Sequence, residues 1–170
     1  MDSLVVFALS RDGVFTAREA AERGVHPSAL TRAVKSGRIR RVLPSVYMVA
    51  GVPETWWAAA RAGVGWCDGA LSHLSAAFAL GLIESPPDRI DLVTKWHRKP
   101  PPKSRYRSHV SGLLLPPHVV LVRDLPVTAA ARTLLDIASV VSAEQLEASL
   151  EEALRRGLAT IARLQWQLKV

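Results

Sequence analysis

At 170 residues the chain has room for one domain or two small ones, and with 49% hydrophobic against 22% charged residues it can bury a core, which excludes a disordered chain. Its one cysteine, Cys67, excludes an intramolecular disulfide and any multi-cysteine zinc or iron–sulfur centre, and fits a reducing cytoplasm. The formal net charge of +7 is unevenly spread: residues 1–51 carry +4, 52–94 carry −3, 95–123 carry +7 with no acidic side chain, and 124–170 carry −1. Two basic patches on near-neutral ground are what a phosphate-bearing partner requires, with solvated surface as the plainer alternative.

The chain opens on Leu4, Val5, Phe7 and Ala8, an apolar stripe at helical spacing that Gly13 closes. The apolar run of six residues from Leu4 is too short for a leader, and the stretch Gly69–Ile83 falls short of the ~20 residues of a membrane span. A soluble, cytoplasmic protein without membrane contact is therefore expected. Thr16-Ala-Arg-Glu19 is a capping box, and the helix it opens stops at Gly24. After Val25-His26-Pro27, a third helix begins near Ser28 and stops at Gly37. Leu30 and Val34 are expected to face inward, leaving Ser28, Thr31, Arg32 and Lys35 outward.

Two short helices across a tight turn predict a helix-turn-helix. Arg38–Leu43 reads as a strand, Pro44-Ser45 as a turn and Val46–Val49 as the returning strand, so a basic wing follows. Ser28, Thr31, Arg32 and Lys35 are the candidate groove readers, and Arg38, Arg40 and Arg41 the candidate phosphate contacts, on double-stranded DNA. A winged fold that contacts another protein is the competing reading.

Gly51-Val52-Pro53 reads as a linker, dividing a winged helix-turn-helix domain at 1–51 from a second domain at 52–170. In the second domain Thr55 caps a helix whose Trp56, Trp57 and Ala60 pack inward, and Ser72 caps an apolar helix through Gly81. Strands are expected over 88–96, 105–110 and 119–123, then a helix from Thr128, a second behind the capping box Ser142-Ala-Glu-Gln145, and a last one from Thr160. The expected fold class is α+β: the winged helix-turn-helix, then a small, mainly antiparallel sheet with C-terminal helices. Lys95, Arg98, Lys99, Lys103, Arg105 and Arg107 form a second basic patch, in a loop marked by Pro100, Pro101 and Pro102.

No catalytic set stands out. His73 beside Ser72 reads as a packed or hydrogen-bonded residue, and His26, His73, His97, His109 and His118 show no pair at metal-ligand helical spacing. Asp88 and Asp91 near the basic patch suggest a nuclease, but Thr94 stands where a second acid is needed. The run around Gly63, Gly65 and Gly69 lacks the Lys-Ser/Thr of a phosphate-cradling loop, and Cys67 has no activating base beside it. Arg132 and Asp136, four apart on the helix after Thr128, read as an internal ion pair on one face that fixes helix against sheet. Neither catalysis, cofactor nor metal is expected.

The runs GVFTAREA, SGRIRRVLPSVY, LSHLSAAFALGL, LPVTAAARTLLDIA and EEALRRG resemble, in order and over most of the chain, the AbiEi-type antitoxin family, in particular its actinobacterial branch. The resemblance implies a winged helix-turn-helix that binds an operator in its own promoter and represses it. It also implies a C-terminal domain that counters a nucleotidyltransferase-like toxin without a stable complex, in the type IV manner. Where the family has Arg-Gly before the wing's Val-Tyr, this chain has Pro44-Ser45, so a different hairpin turn is expected. Many actinobacterial relatives continue into a Vsr-like endonuclease domain, which keeps open a DNA-targeting module as an alternative. A protein-interaction module and a small hydrolase or nuclease are the others.

Overall fold

In the computed structural model the described residues are 1–97, 99–112, 114 and 116–169. They divide into two compact units, Met1–Asp68 and Gly69–Val170.

In the first unit, helix α1 (Asp2–Leu9) leads to strand β1 (Val14–Thr16), helix α2 (Ala17–Glu22) and helix α3 (Pro27–Lys35). Strands β2 (Ile39–Leu43) and β3 (Val46–Val49) form the hairpin, and helix α4 (Trp56–Cys67) closes the unit. The sheet is antiparallel in the order β1-β3-β2, with Val14 opposite Met48 and Ile39 opposite Val49. Three-residue β1 escapes sequence reading because so short a run carries no period. The core joins Leu4, Ala8, Phe15, Ala20, Leu30, Ala33 and Ile39, with the Tyr47 ring stacked on Phe15 at 5.6 Å.

Helix α4 lies beyond the linker read at 51–53 yet packs on all three strands, so the wing sheet has its own helical cover. Gly65 allows the close approach: a Cβ there would stand 2.7 Å from Thr16 Cγ2. Thr55 Oγ1 accepts from the Ala58 amide as expected, and Trp56 and Trp57 pack edge to face at 5.1 Å.

The second unit comprises β4 (Ala70–Leu71), α5 (His73–Ala79), β5 (Ile90–Thr94), β6 (Tyr106–Val110), β7 (Val119–Val122), β8 (Leu125–Thr128), α6 (Ala130–Ile137), α7 (Ala143–Arg155) and α8 (Ile161–Gln167). Five strands run in the order β6-β5-β4-β8-β7. Pairs β4·β5 and β7·β8 are antiparallel, as expected of the sheet as a whole, while β4·β8 and β5·β6 run parallel. The parallel β5·β6 pair arises because residues 95–105 cross back along the sheet instead of turning. Every residue of β5 is buried, Asp91 and Thr94 included, so both of its faces are covered and the alternation read over 88–96 does not sort inside from outside.

Strand β8 was not expected, because Pro126 argues against a strand. On one side β4 meets it only at Leu71 opposite Val127, and on the other Pro126 lies opposite Leu121 of β7. The turn into it, Arg123-Asp124, has positive φ at both residues (51° and 59°), the primed hairpin geometry without the usual Asn-Gly. Thr128 belongs to β8 and does not cap the next helix; its hydroxyl pairs with Thr133 at 2.7 Å, and Ala129 takes the cap position. The Ser142–Gln145 box and the Thr160 cap form as read.

Candidate nucleic-acid interface

The placement of α3 follows from local chemistry at each end of α2. Thr16 N–H donates to Glu19 Oε2 at 2.7 Å and the Glu19 amide returns a bond to Thr16 Oγ1 at 3.1 Å, satisfying two donors that the helix itself leaves open. Gly24, at φ +72°, ends α2, and the Val25 amide reaches back to the Ala20 carbonyl at 2.9 Å. The turn then delivers His26, whose Nδ1 accepts from the Ser28 amide at 3.2 Å and so caps α3, with Pro27 at its first position. Histidine is not among the usual capping residues, so this role carried no signal in the sequence.

Leu30 faces inward as read, but Val34 is 37% exposed; Ala33, three residues from Leu30, is fully buried in its place. Leu30 and Ala33, three residues apart, are the buried residues of α3. The opposite face is unaffected: Ser28, Thr31, Arg32 and Lys35 are all exposed and recur at the spacing that puts them on one side. Thr31 donates to the Pro27 carbonyl at 3.1 Å, and Ser28 Oγ lies 2.9 Å from His26 Nδ1. Arg32 and Lys35 have no acidic partner among the described residues.

The wing arginines differ from one another. Arg38 Nε donates to Ser36 Oγ at 3.2 Å. Arg40 is engaged by Glu54, its Nη2 2.6 Å from Glu54 Oε2 and 3.1 Å from Met48 Sδ. Arg41 is exposed and has no acidic partner among the described residues. Neighbours along a strand point to opposite faces, and the register shifts between Arg41 and Leu43. At the hairpin tip Ser45 takes φ +61°, the left-handed slot that glycine fills without steric cost.

Of the second basic patch, Lys95, Lys99, Lys103 and Arg107 are exposed and Arg105 is half-buried; Arg98 lies outside the described residues. Arg107 Nε stands 3.8 Å from Asp91 Oδ1. That carboxylate also meets His109 Nε2 at 3.0 Å, and the His109 ring stacks on His73 at 3.7 Å between centroids. His73, at φ +48°, bonds through Nδ1 to Ser72 Oγ at 3.1 Å, so the Ser72 side chain does not cap α5 as expected. Burial holds His73 below its ordinary value of 6.5; a charge on His109 pushes the same way, and Asp136 and Asp91 oppose it. Arg132 pairs with Asp136 at 2.8 Å as read, while Asp136 Oδ2 is buried without a hydrogen bond. The meeting of His73, His109 and Asp91 had no sequence signal, because the β5·β6 pairing makes it.

Among the described residues, no three His, Cys, Asp or Glu side chains stand where they could hold a metal ion, and no helix is long and apolar enough to cross a membrane. Cys67 is buried, its thiol 3.7 Å from the Val64 carbonyl. No curated protein matches the chain. Residues 3–50, which run from α1 through the end of the hairpin, match the family model described as a transcriptional regulator, AbiEi antitoxin. Over this N-terminal segment the chain is similar to the AbiEi antitoxin family of transcriptional regulators.

Proposed function

We propose that this regulator binds operator DNA in its own promoter through α3 and the wing, and represses that promoter as the antitoxin of a type IV system. The observation that carries the reading is the α3 face: four polar or basic side chains, all exposed at helical spacing, beside a hairpin whose exposed Arg41 has no acidic partner among the described residues. A helix face of that width fits the major groove, where an arginine reads a guanine edge through two hydrogen bonds. Ser28, Thr31, Arg32 and Lys35 take the groove, with Arg32 as the main base reader. Arg38 and Arg41 hold phosphates, and Arg40 contributes less because Glu54 already neutralises it.

The second unit counters a nucleotidyltransferase-like toxin by acting on the same pathway, without a stable complex. The Gly69–Val170 unit needs no catalytic group for that role. The protein works in the cytoplasm, where its operator lies.

Fluorescence anisotropy tests the reading, with the chain titrated against its upstream DNA and a scrambled duplex at two salt concentrations. The expected result is tighter binding to the upstream sequence, with a log–log salt slope near −5 if about six phosphates are neutralised. Equal, weak binding to both duplexes would reject operator recognition and favour a protein partner for the winged fold.

A further inference from the structure

The most exposed large aromatic side chain among the described residues is Trp96, at 75%. It sits immediately beyond β5, its ring 5.4 Å from the Lys95 ammonium. An indole left in water beside a cation is costly to maintain and is suited to stack on a planar partner. The ground around it is uniformly basic, since residues 95–123 hold seven Lys or Arg and no Asp or Glu.

The topology extends this surface. Because β5 and β6 are parallel, the chain after Thr94 must return the full length of the strand before Tyr106 can pair with Ile90. For a five-residue strand that is ~17 Å, and the return path contains no helix or strand among its described residues. Lys95, Lys99 and Lys103 are strung along it at four-residue intervals, all exposed, and Arg107 follows on the edge strand β6. A track of cations beginning at an exposed aromatic is the arrangement that takes a phosphate backbone together with an unpaired base.

We propose that Trp96 and the track Lys95, Lys99, Lys103 and Arg107 bind single-stranded nucleic acid, with an unpaired base stacked on the Trp96 indole. In a duplex the base faces are already stacked on one another and cannot reach the indole, so the site discriminates single from double strands. An acidic protein would satisfy the lysines, whereas a nucleic-acid strand brings a phosphate charge and a planar face with every nucleotide. The proposal is independent of operator binding by α3, which reads a duplex.

The test is a titration of intrinsic tryptophan fluorescence with a dT oligomer of about 12 nucleotides, within the 4–16 nucleotides that such surfaces cover. It is run on the whole chain carrying Arg32→Ala and Arg41→Ala to weaken the N-terminal unit. Quenching is expected with the single strand and little with a duplex of equal length. Trp96→Ala should abolish the quenching and weaken single-strand binding roughly 5- to 100-fold, whereas Trp96→Phe should retain most of the affinity. Because the side chain is exposed, unchanged thermal melting is expected for both variants. Two results would overturn the proposal. One is a Trp96→Ala chain that binds dT as tightly as before. The other is heparin, a polyanion without bases, binding as tightly as dT and with equal dependence on Trp96. Operator binding by the unsubstituted chain, measured alongside, reports separately on the reading of α3.

Discussion

The two units of this chain place their charged side chains by different routes. In Met1–Asp68 the candidate DNA-facing cations are exposed; those of α3 are placed by caps and turns within a few residues, while Arg40 is held by Glu54. In Gly69–Val170 a set of charged and titratable groups pairs with itself: Asp91 of β5 with His109 of β6, His109 with His73 of α5, and Arg132 with Asp136 along α6. The candidate DNA-facing cations of the first unit stand in water, where they cost little and can be lent to a partner, whereas its Arg61 is buried against Asp12 at 3.2 Å. The second places carboxylates and imidazoles in partly buried pairs, where each group depends on its neighbour's charge. Substitutions of those exposed cations should therefore alter binding with little effect on folding, and substitutions among His73, His109 and Asp91 the reverse.

The largest effect that sharpens this contrast belongs to Arg32. Arg32→Ala should cost ~1–3 kcal/mol of binding to the upstream duplex, about what one bidentate base contact supplies, and far less on scrambled DNA. Anisotropy measures the first part, and an unchanged melting temperature is the second. Equal losses on both duplexes would remove Arg32 as a base reader. A packing change in the same unit provides the opposite case. Gly65→Ala sets a Cβ 2.7 Å from Thr16 Cγ2 and should destabilise by ~1–3 kcal/mol, seen as a lower denaturation midpoint. If the midpoint does not move, α4 is not held as closely to Thr16 as the structure shows.

Next is the acid response of the second unit. Folding lowers the His73 value, so as pH falls the unfolded chain takes up that proton first. His73 therefore withdraws no stability above its ordinary value of 6.5, and the folded state weakens as pH drops through that value. His73→Asn, which tolerates the left-handed backbone at φ +48°, should flatten this slope in denaturation measured from pH 8 to pH 5. An unchanged slope would assign the acid sensitivity to other groups.

The smallest effect separates two adjacent arginines. Arg40→Ala, whose partner Glu54 is half-exposed, should change DNA affinity and stability by less than ~1 kcal/mol. Arg41→Ala should weaken binding to both duplexes alike and reduce the salt slope by about 1. Titrations at two salt concentrations distinguish them, and equal effects would mean that Glu54 releases Arg40 on binding.

Much of the candidate interface was legible because it is built from short-range chemistry. A capping box needs only Thr16 and Glu19, a helix stop only a glycine that accepts positive φ, and an outward face only a repeat of three and four residues. Those signals placed α2, α3 and the hairpin, and with them all seven candidate DNA contacts on exposed positions. Where the reading failed, a contact with a distant residue decided the outcome. Ala33, in place of Val34, joins the core with Leu4, Phe15 and Ile39, and Arg40 was claimed by Glu54, fourteen residues on.

The sequence by itself determined the helices and the hairpin, the basic character of two segments and the α3 face, since hydrogen bonds and periodicity within a few residues suffice for these. Only the tertiary structure decided that β5 and β6 run parallel, that Pro126 lies in a strand, and that His73 and His109 stack beside Asp91. The reason is physical. Strand pairing joins residues far apart along the chain, and its direction and register depend on which other surfaces are buried at the same time.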